Sequence, residues 1–145
     1  MNTAPIRKPK RREKEFCTEL VKAIAKSTWG FKIPDSPSSW GKNTKLRFTP
    51  KKAVDVICAN RIGKLCAVEC KMWKLKRDPE RRDVFVLLRE DQMIELKDVE
   101  DARGHSFVAL KRYIPRHSEY FLMPINGLIE KYLRVTDLGE RITKA

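Results

Sequence analysis

Apolar and polar positions recur along the chain with periods that mark out its elements. From Glu13 to Thr28, Phe16, Leu20, Ala23 and Ile24 return at three- and four-residue spacing, which predicts an amphipathic helix ended by Trp29-Gly30. Phe31-Lys32-Ile33 reads as a short strand. Residues 34–52, PDSPSSWGKNTKLRFTPKK, carry three prolines, three serines and a glycine, so they read as a long loop. AVDVICA and KLCAVECKM, joined by NRIG, read as a β-hairpin. Both faces of these two runs are largely apolar, as expected of central strands covered on two sides. A charged connection follows over residues 73–88. From about Arg89 to Arg103 a helix carries Met93, Leu96, Val99 and Ala102, with Gly104 as its C-cap. HSFVALKRYI and EYFLMPI read as two strands, NGLIEKYLRV as a short helix, and residues 136–145 as a polar tail. The expected class is α/β, a mixed central sheet flanked by helices, in the order α-β-β-β-α-β-β-α. One domain, residues 13–135, follows an N-terminal arm of residues 1–12 in which Pro9 is expected to break any helix.

Charge sharpens this picture. Lys and Arg number 32 against 19 Asp and Glu, a net charge of +13. Such an excess on a 145-residue chain points to a polyanionic partner, most commonly nucleic acid. The candidate phosphate contacts are Arg7, Lys8, Lys10, Arg11 and Arg12 in the arm, Lys42, Lys45, Lys51 and Lys52 in the long loop, and Lys74 and Lys76 in the charged connection. Trp40, Phe48 and Trp73, set among these cations, are candidates for stacking on exposed bases or capping the core. The predicted 89–103 helix holds much of the acid and is expected to face away from DNA. No stretch approaches the roughly 20 apolar residues of a membrane span, and the basic N-terminus lacks the apolar core of a secretory signal. The expectation is a cytoplasmic, intracellular protein, nucleoid-associated if bacterial or phage.

The four cysteines, Cys17, Cys58, Cys66 and Cys70, form no C-x-x-C pair, and both histidines lie far downstream. Structural zinc-finger spacing is absent. Reduced core thiols are the expected state.

The hairpin register points to chemistry. With the turn centred on residue 62, Asp55 stands opposite Glu69, and Lys71 shares their face two residues on. Opposed acids in a covered sheet repel and are costly to desolvate. A hard divalent cation, Mg²⁺ with Mn²⁺ as substitute, would offset that cost and could hold a phosphate. The other reading of these residues is a plain cross-strand ion pair.

VDVIC followed by AVECK resembles the acidic strand and the E-x-K strand of the PD-(D/E)XK nucleases, which have a restriction-endonuclease-like core. Across about residues 15–125, FKIPDSP, KKAVDVICANRIGKLCAVECK, REDQMIEL, GHSFVALKRY and EYFLMPI follow an order similar to Holliday junction resolvases of the RecU and Hjc type. The resemblance implies Asp55 and Glu69 as metal ligands, the Cys70 carbonyl as a further ligand, and Lys71 as the catalytic lysine. It also implies an acid from the first helix, best matched by Glu19 with Glu15 next, and matches Gln92 to a glutamine that follows the E-x-K strand. The pattern departs where Val54, rather than proline, precedes Asp55, and where Pro34-Asp35 stands well upstream. The implied function is Mg²⁺-dependent cleavage of DNA, a four-way junction in particular, by a homodimer. Val84–Leu88 and Phe121–Met123 are candidate interface segments. The alternatives are a nuclease of this fold acting on repair or restriction substrates, and a non-catalytic nucleic-acid-binding module.

Overall fold

The computed structural model describes residues 9–34 and 54–145. Arg7, Lys8, Asp35, Trp40, Lys42, Lys45, Phe48, Lys51 and Lys52 therefore lie outside the described residues. Within them the order is α1 (Pro9–Ala25), β1 (Gly30–Lys32), β2 (Val56–Ala59), β3 (Leu65–Met72), α2 (Arg81–Leu87), α3 (Glu90–Asp101), β4 (His105–Ile114), β5 (His117–Pro124), β6 (Glu130–Tyr132) and α4 (Val135–Lys144). The strands form one mixed sheet in sequence order, with β3 and β4 parallel and every other neighbour antiparallel. The parallel step is the one bridged by helices, as a parallel connection requires.

Strand alternation divides the core in two. Val56, Cys66, Val68, Phe107, Ala109 and Leu122 project toward α1 and α4, where they meet Phe16, Leu20, Leu138 and Ile142. Ala67, Val108, Leu110, Phe121 and Met123 project the other way, against Val84 of α2 and Leu96 of α3. The sheet is thus flanked by helices on both faces, and β3 and β4 are buried through most of their length.

The hairpin has the register expected of it, with Val56 opposite Val68 and Cys58 opposite Cys66. Its turn is held by Asn60, whose Oδ1 accepts the N–H groups of Ile62 (3.1 Å) and Lys64 (2.8 Å), and by Gly63 at φ +84°.

Four expectations need correction. Pro9 does not break a helix but opens one. The first helical position has no intrahelical N–H bond to lose, and there the fixed φ of proline suits the helix. Residues 81–87, read as connection, form α2, started by Asp83, whose carboxylate accepts the Glu80 N–H at 2.8 Å. Residues 130–132, read as helix, form edge strand β6. The Gly127 N–H bonds the Pro124 carbonyl and turns the chain straight back along β5. Residues 136–145 are not a polar tail but most of α4, with Leu138, Gly139, Ile142 and Thr143 buried. Gly139 permits this packing, since a Cβ there would lie 2.9 Å from that of Ala23 in α1.

No helix among the described residues is long and apolar enough to cross a membrane. Phe121–Met123 is core rather than open surface, and of Val84–Leu88 only Val86 is strongly exposed.

If α4 completes the core in this way, Ile142→Ala should lower stability by about 2–5 kcal/mol, the range for emptying a buried aliphatic site. Urea unfolding of the variant measures this, and an unchanged midpoint would mean that α4 does not pack as described.

Candidate active site

β2 stops pairing with β3 at Val56 and Val68, one residue short of Asp55. On its other side the Asp55 carbonyl accepts the Ile33 N–H (2.9 Å), which carries the β1–β2 register one step past the end of β1. Had the ladder continued, Val54 would stand opposite Cys70. The side chain of Asp55 fills that place, its Oδ2 accepting the Cys70 N–H at 2.9 Å. In an antiparallel ladder a residue's N–H and C=O point to the same side. The Cys70 carbonyl therefore also faces the gap where β2 has ended.

Glu69, next along β3, projects toward α3. Its Oε1 accepts a 2.9 Å hydrogen bond from Gln92 Nε2 and lies 3.8 Å from Lys71 Nζ. Gln92 is fixed in turn, since its Oε1 accepts the Arg89 N–H at 3.0 Å, at the start of α3. Asp55, Glu69 and Gln92 are all buried, and the Lys71 side chain is largely so. Arg89 adds a cation that the sequence reading missed. Its guanidinium pairs with Asp91 and also feels Glu69 and Asp55, and together these hold its pKa up. The signal available in the sequence was only an arginine three residues before Gln92.

Asp55, Glu69, Cys70, Lys71 and Gln92 are thus gathered at one end of the hairpin. Asp55, however, is not the same-face partner of Glu69 that the register alone implied. Its carboxylate lies at the ladder's end, in contact with the backbone of β3.

The first-helix acid also differs from expectation. Glu19 accepts hydrogen bonds from Lys111 Nζ (3.1 Å) and Tyr120 OH (3.0 Å), and Glu15 is exposed. The residue that α1 brings to Asp55 is Cys17. Its Sγ, the Cys70 Sγ and an Asp55 oxygen all lie within 4.8 Å of one another. The hydrogen bond with the adjacent Cys17 thiol, then burial and the two nearby carboxylates, push the Cys70 thiol well up, which keeps it protonated.

A groove of about 430 Å³ opens beside Lys71, lined also by Glu13, Trp73, Lys74 and Leu87. Trp73 is not a free stacking residue. It is buried, and its Nε1 donates to the Arg77 carbonyl at 2.7 Å. Lys74 and Lys76 are exposed on this segment, and Arg12, at the other predicted cluster, lies over the Tyr113 ring. The segment is clamped by Arg112 of β4. One of its nitrogens donates to the carbonyls of Leu75, Lys76 and Arg77, and the others reach Asp78 and Glu119.

The residues present suit a hard cation in donor type, with two carboxylates and a main-chain carbonyl on neighbouring positions. Comparison of the sequence with protein-family models and with curated proteins finds no match.

The clamp gives a pH test. Lys131 first, and Arg112 with it, hold the Glu119 carboxyl below its ordinary value of 4.5. A depressed carboxyl stabilises the fold above that ordinary value, and the contribution disappears as pH falls through the folded-state pKa. Glu119→Gln should therefore be less stable than wild type at neutral pH but lose less stability on acidification below pH 4.5. Urea midpoints measured across that range should converge. Parallel curves would show that Glu119 carries no such linkage.

Proposed function

We propose that the protein is a Mg²⁺-dependent endonuclease acting on DNA. The convergence of Asp55, Glu69, Lys71 and Gln92 at the end of the β2–β3 ladder carries this reading, because the four come from three separate segments. The net charge of +13 supports a polyanionic substrate.

Asp55, Glu69 and the Cys70 carbonyl would hold the cation. When bound, such an ion polarises the scissile phosphodiester and lowers the pKa of an attacking water. The chain's own residues do the rest. Lys71 places an ammonium where it stabilises charge developing on the phosphate oxygens. Gln92 fixes the Glu69 carboxylate through one oxygen and leaves its direction set by α3. Lys74 on the groove, with the exposed Lys76 and Arg89, supplies phosphate contacts, which position a backbone without reading its sequence. A non-catalytic binding module, with Asp55 and Glu69 serving only as buried hydrogen-bond acceptors, is the alternative.

Within this reading the substrate is a branched DNA, a four-way junction by the resemblance of the segment order to resolvases. Resolving a junction takes two nicks, and one chain supplies one centre, so the active form is a two-fold dimer.

Asp55→Asn, Glu69→Gln and Lys71→Ala should each slow Mg²⁺-dependent cleavage of a labelled junction by about 100-fold or more, equivalent to roughly 3 kcal/mol of transition-state stabilisation. Binding should persist, and EDTA should abolish cleavage by the wild type. A folded Glu69→Gln protein that cleaves at the wild-type rate would sink the assignment. For the substrate, light scattering of the junction complex should give two chains per junction, and strand-labelled junctions should be nicked symmetrically. Equal cleavage of linear duplex would remove the junction preference and leave the nuclease.

A further inference from the structure

The donor group around Asp55 is not purely hard. Among the described residues, Cys17, Asp55 and Cys70 are the one group of three or more potential ligands whose donor atoms lie within 4.8 Å of one another, and all three residues are buried. They come from three segments: α1, the end of the hairpin's first strand, and β3. Tetrahedral zinc, with Zn–S bonds near 2.3 Å, needs sulfur atoms roughly 3.8 Å apart. The observed spacing meets this with shifts of about an ångström or less. Thiolates select soft or borderline ions over magnesium.

We propose that Cys17, Cys70 and Asp55 form a site for a thiophilic divalent cation of the zinc and cadmium class, with two thiolates and one carboxylate as protein ligands and water in the fourth position. Binding replaces two S–H protons by two metal–sulfur bonds and releases both protons to solvent. No oxidant or reductant takes part. The site does not depend on DNA. Where the proposed nuclease function holds, however, it has a consequence: Asp55 is common to both ion sites. A thiophilic ion at Cys17 and Cys70 draws that carboxylate away from the magnesium position, so zinc inhibits. The other buried pair, Cys58 and Cys66, faces itself across β2–β3 and is not part of the group. It serves as an internal control.

The test is cobalt(II) titration of the full chain, reduced with a phosphine and kept anaerobic, without DNA. The expected result is one cobalt per chain, with intense near-ultraviolet thiolate-to-cobalt absorption and the visible bands of a tetrahedral ion, all displaced by zinc. Cys17→Ala should abolish the near-ultraviolet band while far-ultraviolet dichroism shows a folded protein. Cys17→Ser, closer in shape, should do the same if the alanine variant does not fold. Cys58→Ala should retain the band. Absence of thiolate absorption in the wild type, its survival in the folded Cys17 variants, or its loss in folded Cys58→Ala would overturn the proposal. Magnesium-dependent cleavage without cobalt–thiolate absorption would sink this site and leave the nuclease. Cobalt–thiolate absorption with no cleavage would do the reverse.

Discussion

The centre depends on one hydrogen bond, from the Cys70 N–H to the Asp55 carboxylate. β2 stops pairing with β3 after Val56, and the Asp55 side chain takes over where the ladder ends. A central strand left unpaired there would carry a buried, unsatisfied N–H, which costs on the order of 1–3 kcal/mol. The carboxylate removes that cost and is itself held by a backbone dipole. A structural debt and a functional placement are settled by the same contact. Asparagine could accept the same bond but would lack the charge, so substitution there separates the two roles.

Alternation along β3 then distributes the chemistry. Glu69 and Lys71 project toward α3, whose Gln92 receives the carboxylate, whereas Cys70 between them projects toward α1 and meets Cys17. Asp55, lying at the ladder's end, is beside Cys70, and its charge is also felt by Arg89. Three consecutive residues of one strand thus present a carboxylate and an ammonium to one face and a thiol to the other, with the Asp55 carboxylate beside the thiol. The period-two geometry of a strand makes that division unavoidable.

Much of this was legible in the sequence where periodicity was strong. The hairpin register follows from its apolar alternation and the Asn60–Gly63 turn, and it located Glu69 and Lys71 correctly. The same register put Asp55 on the face of Glu69, because extrapolating a ladder assumes that it continues. In place of the next ladder pair, the Cys70 N–H is taken by the Asp55 side chain, a contact that no local pattern encodes. α4 was missed for a different reason. Only Leu138 and Ile142 are large and apolar in it, and its fit rests on Gly139 meeting Ala23, a contact visible only once both helices are placed. β6 was missed because a turn at Gly127 decides its pairing, not its own apolar spacing.

The first helix shows the limit of reading roles by residue type. Glu19 is the acid that helical spacing recommends, yet its carboxylate is bound by Lys111 and Tyr120. Two turns of helix could present only one stripe to the end of the hairpin. That stripe carries Phe16 and Leu20 into the core, and it places Cys17 at Asp55. An acid at position 17 would have set a third carboxylate beside Asp55 and Glu69, with a further desolvation cost and mutual repulsion. A neutral thiol avoids both when no metal is bound, and becomes a strong ligand only when a thiophilic cation replaces its proton. In the proposed thiophilic site the charge at the centre would therefore be set by which cation is bound. This is a property of the pairing of Cys17 with Asp55 and not of either residue alone.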